Sequence, residues 1–186
     1  MERRLCRQDQ VIVAAGGRVA VEILPVQVEA ILAIRSRVLR PDRTPEQCRL
    51  IEDDEAATCH WAARTGGAVV GCVTILPQRV PPRLPGNPPP INPIVDSLWA
   101  GRSGWRVRGM AVLPDQQSLG IGALLIEAAV AEVRRRAADL VWCYGRLTAD
   151  RFYRRAGFVP SGPSFDTPPT GLHHLYLMAL GSGEGA

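Results

Sequence analysis

Lysine is absent from this 186-residue chain; all 22 basic residues are arginine. Without a lysine amine there is no Schiff base and no Walker-type phosphate loop, so PLP enzymes and P-loop NTPases are excluded. Codon composition is the plain reading of the arginine bias. The net charge is only +4, three of the arginines sit at Arg3, Arg4 and Arg7, and no basic stripe follows, so no nucleic-acid partner is expected. The five cysteines, Cys6, Cys48, Cys59, Cys72 and Cys143, form no C-x-x-C pair. An odd, scattered set argues against a disulfide framework, and His60, His173 and His174 add no H-x-x-x-H spacing, so no metal is expected. A reducing cytoplasm is the expected compartment. No apolar run reaches the ~18 residues that cross a bilayer; the longest periodic stretch, Ile121 to Val133, is broken by Glu127 and Glu132. Met1 to Gln10 adjoins no h-region, so neither a signal peptide nor a membrane partner is expected. Aromatic residues make up 5% against 46% hydrophobic, which suits one compact domain built on aliphatic packing.

Along the chain, residues 1–17 read as an N-terminal extension. Arg18 to Leu24 alternates as a strand, and from Pro25 the residues Val28, Ile31, Leu32 and Arg35 fall at helical intervals, ending near Leu39 to Pro41. Thr44 with Pro45 predicts a short second helix. Two strands, Thr58 to Arg64 and Ala68 to Leu76, flank Gly66-Gly67, a hairpin signal. Pro77 to Pro93 carries eight prolines. It reads as a surface excursion, with residues 77–104 as an inserted loop. Trp105 to Leu113 is a strand, about Leu119 to Ala137 a helix, and Leu140 to Tyr144 a buried strand. Thr148 caps a helix that stops at Gly157. Val159 and Leu172 to Leu180 close the sheet, and 181–186 is a tail. The order is βααβββαβαββ, a single mixed α/β domain over 18–180.

The segment Gln117-Ser118-Leu119-Gly120-Ile121-Gly122-Ala123 joins a strand to a long helix. Glycines at a helix start let backbone N–H groups approach an anion that the helix dipole favours, a diphosphate above all; plain packing is the other reading of the same glycines. Further on comes Ala149-Asp150-Arg151-Phe152-Tyr153-Arg154-Arg155-Ala156-Gly157-Phe158. These two segments, in this order, resemble the GNAT N-acetyltransferase superfamily, with its Q/R-x-x-G-x-G/A turn and its A-x-x-F-Y-x-x-x-G-F helix. The resemblance runs from about Arg18 to Leu180. Val38-Leu39-Arg40-Pro41, Asp53-Asp54, His60, Arg108-Gly109-Met110-Ala111-Val112, Trp142-Cys143 and Phe165-x-x-Pro168-x-x-Gly171-x-His173 look like one subgroup of small stand-alone acetyltransferases.

The resemblance implies a three-layer fold with a twisted, mostly antiparallel mixed sheet flanked by helices. It implies acetyl-CoA as co-substrate and no metal. The cofactor would lie between the strand Trp105 to Leu113 and the strand Leu140 to Tyr144. Met110, Ala111 and Val112 would pair with the pantetheine arm through their backbone. Gln117, Ser118, Leu119, Gly120, Ile121, Gly122 and Ala123 would hold the diphosphate, with Phe152 as core or channel wall. The family often has a basic residue inside this turn where this chain has Ser118 and Leu119. Tyr153 sits where the family places the proton donor to the departing thiolate; its other reading is a core aromatic. Asp53, Asp54, His60 and His173 are the candidate bases, with His173 also a candidate acceptor contact. Cys143 reads as strand packing, with nothing nearby to make it a nucleophile.

The implied activity is direct N-acetyl transfer to a primary amine of a small molecule or peptide, by a monomer or homodimer. The alternatives are a non-catalytic acyl-CoA-binding domain and an arginine-rich binding module using the proline loop. Retention of Tyr153 and both glycines favours the enzyme.

Overall fold

In the computed structural model, residues 12–16, 19–85 and 102–181 are described. Their strands are β1 (Ile12–Gly16), β2 (Val19–Val26), β3 (Cys59–Thr65), β4 (Ala68–Pro77), β5 (Gly104–Val112), β6 (Leu140–Arg146), β7 (Val159–Asp166) and β8 (Leu172–Ala179). The helices are α1 (Glu29–Leu39), α2 (Ile121–Arg135) and α3 (Asp150–Arg155). The hydrogen-bonded strand order is β1-β2-β3-β4-β5-β6-β8-β7. β5 and β6 run parallel, while β1–β2, β2–β3, β3–β4, β6–β8 and β7–β8 run antiparallel, so the expected mixed, mostly antiparallel sheet is present. The chain divides into two compact units. The first runs to Leu76 and takes in Arg108–Glu132; the second holds Pro77–Val107 and everything from Val133.

In the first unit, Gly66 (φ +56°) and Gly67 (φ +82°) make the expected two-residue hairpin between β3 and β4. Both central residues take positive φ, which is why glycines occupy them. Two expectations are corrected here. The extension contains a strand, β1, antiparallel to β2. The second helix is a single 3-10 turn, Glu46–Cys48. Its cap signal is genuine: the Gln47 N–H donates to Thr44 Oγ1 (3.4 Å) and the Thr44 N–H to Gln47 Oε1 (3.0 Å), a capping box. The helix stops because Arg35 Nη1 takes the Cys48 carbonyl (3.4 Å) and the chain turns extended at Arg49. Helix α1 buries Ile31, Leu32 and Ile34 against Ala62, Cys72 and Ala111. On the next residue of β4, a Cβ on Gly71 would stand 3.0 Å from Leu125 and 3.3 Å from Ile121. Successive strand residues point to opposite faces, so α1 and α2 cover opposite faces of β4.

Inside that core lies a buried ion pair. Arg35 Nη1 donates to Asp53 Oδ2 (2.6 Å) and Nη2 to Asp53 Oδ1 (3.0 Å), with side-chain exposures of 2% and 0%. Arg35 Nη2 also donates to Thr74 Oγ1 (2.5 Å), and the Leu50 N–H to Asp53 Oδ2 (2.7 Å). His60 joins through Nδ1 to Thr74 Oγ1 (2.9 Å) and Nε2 to the Asp53 carbonyl (3.3 Å). Burial works against the Asp53 carboxylate, yet the Arg35 hydrogen bonds, the Leu50 N–H and the Arg35 charge together hold it below its ordinary 3.8. Burial likewise holds His60 below its ordinary 6.5, with the Asp53 charge opposing. The neighbouring acidic residues are also paired: Glu52 with Arg108 (2.6 Å) and Asp54 with Arg49 (3.0 Å).

The second unit packs Leu84, Leu140, Trp142, Phe165, Leu175 and Leu177 together. Leu84 and Val80 of the proline-rich stretch pack into this cluster, while Pro77, Arg79, Pro82 and Arg83 are exposed. The Gln78 carbonyl accepts from Trp142 Nε1 (2.7 Å), and the Gln78 N–H donates to the Gly104 carbonyl (2.9 Å). Residues 86–101, like 1–11, 17–18 and 182–186, lie outside the described residues, and with them most of the proline run and the tail. Thr148 does not cap α3; Ala149 stands at that position without a side-chain bond. Cys48, Cys72 and Cys143 are free, but Cys59 is disulfide-bonded, against the expectation from scattered cysteines.

Asp53→Ala leaves a buried guanidinium unpaired and is expected to cost about 3–5 kcal/mol in urea unfolding at pH 7. Both shifted groups have folded pKa values below their unfolded ones. Their stabilisation is complete above the unfolded value and lost as pH falls through the folded one. The wild-type urea midpoint should decline below pH 6.5 and again below pH 3.8. Asp53→Ala should show a smaller second decline, with Glu29 and Asp150 still contributing to it; an unchanged acid limb would refute the assignment.

Candidate functional site

Strand β5 carries the first part of the site. Gly109 has φ +55°, a left-handed residue inside a strand that redirects the peptide groups after it. Met110 and Val112 are half-buried and Ala111 is buried. The strand end is tied down by its own surroundings. The Leu113 N–H donates to the Val70 carbonyl (2.9 Å), and Gln117 Nε2 donates to the Val112 carbonyl (3.0 Å). Gln117 thus holds strand and turn together with the amide expected to face the diphosphate.

The turn itself is open. Gln117, Ser118, Leu119 and Gly120 are exposed, and Leu119 is 66% exposed. Ser118 (φ +63°) and Gly120 (φ +83°) both sit in the left-handed region. A Cβ on Gly120 would meet no protein atom within 4 Å. Helix α2 begins at Ile121, so its first N–H groups lack intrahelical acceptors and carry the positive end of the dipole. The Ala123 N–H is the exception, donating to the Gly120 carbonyl (3.0 Å). The turn offers what an anion needs: exposed backbone, open space beside Gly120 and a 15-residue helix behind it.

The second unit carries Tyr153 on α3. The residue is 8% exposed and stacks on Tyr176 (4.8 Å, 24°). Phe152 and Phe158 meet it edge-on at 5.2 and 5.7 Å. Burial first, then the neighbouring Cys143 sulfur, raise its pKa well above 10. Burial also pushes Cys143 up to about 12, so this sulfur is a thiol and not a nucleophile, as the sequence indicated. Tyr176 is fixed in turn by Asp150 Oδ1, which accepts its hydroxyl at 2.9 Å.

His173 lies on β8. The spacing Phe165-x-x-Pro168-x-x-Gly171-x-His173 turns out to be a hairpin in which Phe165 pairs with His173 and stacks on it (6.1 Å, 25°). His173 Nδ1 is 2.7 Å from the Gly171 carbonyl. A carbonyl only accepts, so the neutral ring carries its proton on Nδ1 and leaves Nε2 as the acceptor.

The two candidates are not side by side. In the β6–β8 ladder Cys143 pairs with Tyr176, and Arg146 with His173. Alternation places Cys143, Gly145, His174 and Tyr176 on the face of Tyr153, and Trp142, Tyr144, Arg146 and His173 on the other. Of the other candidate bases, Asp53 has its carboxylate wholly engaged with Arg35 and the Leu50 N–H. His60 is held between Thr74 and the Asp53 backbone. Asp54 pairs with Arg49 at the surface. Sequence reasoning gave no separate role to Gly109 and Gly145. A glycine inside a strand pattern is the signal that marks both, since it indicates a bulge or a close approach.

The family model described as acetyltransferase (GNAT) family matches residues 28–158. The uncharacterized N-acetyltransferase YitI of Bacillus subtilis (strain 168) is 28% identical over 159 residues, covering 86% of this chain and 96% of that protein. Among solved structures, the NatC complex bound to Gag peptide and CoA has a chain similar at TM-score 0.61 and 15% identity, covering 86% of this chain and 98% of that one. Escherichia coli ElaA is similar at TM-score 0.57 and 13% identity, covering 85% and 99%. Likenesses at these identities show the fold.

Gly145 is where the geometry is least tolerant. A Cβ there would overlap the Tyr153 ring and come within 2.9 Å of Tyr176. Gly145→Ala is expected to destabilise by about 1–3 kcal/mol through overpacking and to disturb the tyrosine stack in the near-ultraviolet circular dichroism. An unaltered spectrum and stability would mean that the ring is not seated as described.

Proposed function

The chain belongs to the GNAT acetyltransferase family, and from that premise we propose that it moves an acetyl group directly from acetyl-CoA to a primary amine of a small molecule or peptide. The observation that carries the reading is the open turn at Gln117–Ala123, left-handed at Ser118 and Gly120 and set on the start of α2. The family's use of acyl-CoA and the CoA in the NatC structure support the choice of cofactor. The peptide in that same structure supports an amine acceptor.

Bound acetyl-CoA supplies an activated acyl thioester. In this reading the N–H groups of Leu119 to Gly122 hold the diphosphate, and the backbone of Met110 to Val112 aligns the pantetheine arm as an added strand. A backbone N–H in that stretch donates to the acyl carbonyl oxygen as negative charge grows there. Tyr153 gives its phenolic proton to the departing sulfur. Burial keeps that phenol protonated until the sulfur departs. His173 accepts a proton from the amine at Nε2, the nitrogen its Gly171 contact leaves free. Burial keeps the Cys143 sulfur a thiol, so the transfer is direct, with no acyl-enzyme on it.

Screening amines for release of free CoA tests the activity. Gly120→Glu should abolish acetyl-CoA binding in calorimetry. Gly120→Ala carries the same left-handed strain of about 1–2 kcal/mol without the carboxylate and should retain binding. Equal affinity in wild type and Gly120→Glu would overturn the diphosphate assignment. Tyr153→Phe removes one hydroxyl and should lower kcat by about ten-fold or more at constant KM for acetyl-CoA. Wild-type turnover in that variant would return Tyr153 to a purely structural role.

A further inference from the structure

Buried beside β5, the guanidinium of Arg35 bonds Asp53 with both Nη atoms and reaches Thr74 Oγ1 and the Cys48 carbonyl as well. Its Nε has no hydrogen-bond partner among the described residues. That nitrogen faces Gly109: a Cβ built there would lie 2.8 Å from Arg35 Nε and 3.3 Å from Cζ and Nη2. The far side of the same glycine is held too, since the Cys72 thiol donates to the Gly109 carbonyl at 3.2 Å. One residue earlier, Arg108 Nη1 meets both Glu52 oxygens at 2.7 and 2.6 Å. Adjacent acids of one loop, Glu52 and Asp53, therefore fix Arg108 directly and Gly109 through Arg35. Gly109 is the left-handed residue whose φ of +55° sets the direction of the next peptide groups, those of Met110, Ala111 and Val112.

We propose that Asp53 and Arg35 are positioning residues for acyl-CoA binding: the pair fixes the left-handed Gly109 and thereby aims the Met110–Val112 backbone at the pantetheine arm. The inference rests on the reading of Met110–Val112 as the pantetheine strand. It gives the acidic loop a task in place of the proton transfer first considered for Asp53. It also explains why a buried guanidinium is kept with one donor unsatisfied, since the space that donor faces is the glycine itself. The diphosphate turn is not held by this pair, so the two halves of the cofactor should respond separately.

The test compares acetyl-CoA with 3′-phospho-ADP, which has the diphosphate and lacks the pantetheine arm, by calorimetry on the full chain. Asp53→Asn, measured at a temperature where circular dichroism shows it folded, should lose acetyl-CoA affinity by about ten-fold or more, a magnitude that slight misplacement produces. Its affinity for 3′-phospho-ADP should stay at the wild-type value. Should Asp53→Asn fail to fold, Gly109→Ala decides by the same criterion, because it leaves the ion pair intact and forces glycine and guanidinium apart. Parallel loss of both ligands, as general loosening would give, overturns the proposal, and so does unchanged affinity for both. Wild-type protein that binds 3′-phospho-ADP but gains nothing from the pantetheine arm refutes the strand reading itself, and wild type that binds neither refutes the cofactor reading.

Discussion

A charged pair buried in an apolar core constrains this fold more than any other interaction in the described residues. Removing Arg35 and Asp53 from water is expensive, and such a pair is poor evidence of net stabilisation. What it supplies is fixed geometry. The guanidinium is planar, and with Asp53, Thr74 and the Cys48 carbonyl all engaged it has one orientation. That orientation ends the 3-10 turn at Cys48, closes the acidic loop over α1, and presents an unpaired edge to Gly109. Three segments far apart in sequence are thus referred to one side chain, and strand β5 inherits its local conformation from them.

Much of this was legible from the residues alone. Gly66-Gly67 announced its hairpin because only glycines take positive φ twice in succession at low cost. The helical spacing of Val28, Ile31, Leu32 and Arg35 announced α1, but not that Arg35 has a buried partner. The partner was not readable. Eighteen residues separate Arg35 from Asp53, and a run of four acidic residues looks solvated in any linear reading; that holds for Asp54 and Glu55, which are exposed, and fails for Asp53 and Glu52, which pair with Arg35 and Arg108. The second helix failed for a related reason. Thr44 and Gln47 form the cap, but the cap chemistry says where a helix starts and not how far packing lets it run. In the proline-rich stretch, prolines forbid regular hydrogen bonding without forbidding burial, and Leu84 is buried all the same.

For the catalytic candidates, strand alternation decides more than motif matching does. Tyr153 and His173 belong to segments that resemble one family, yet the β6–β8 register puts them on opposite faces of the ladder. A mechanism that needs them to exchange a proton directly is incompatible with that register. One that uses them on different partners, the departing sulfur and the incoming amine, is compatible with it. The same alternation separates two clusters of rings, Tyr153 with Tyr176 and Phe158 on one face, Trp142 with Tyr144 and Phe165 on the other.

Three glycines then divide the work in ways a single motif rule hides. Gly120 is required by its φ alone, since nothing crowds it and the space beside it stays open. Gly145 has no unusual conformation to protect; it is required by volume, because Tyr153 and Tyr176 occupy the place of its side chain. Gly109 is required on both counts, left-handed and pressed by Arg35. The first has open space beside it, the second makes room for an inside ring, and the third sets a buried charge against the backbone that precedes Met110–Val112. Of the three, Gly120 and Gly109 lie in segments that the family resemblance ties to the cofactor, and Gly145 does not. Conformational freedom at a turn is written locally, whereas the need for empty volume is written in whatever residue arrives from elsewhere in the chain.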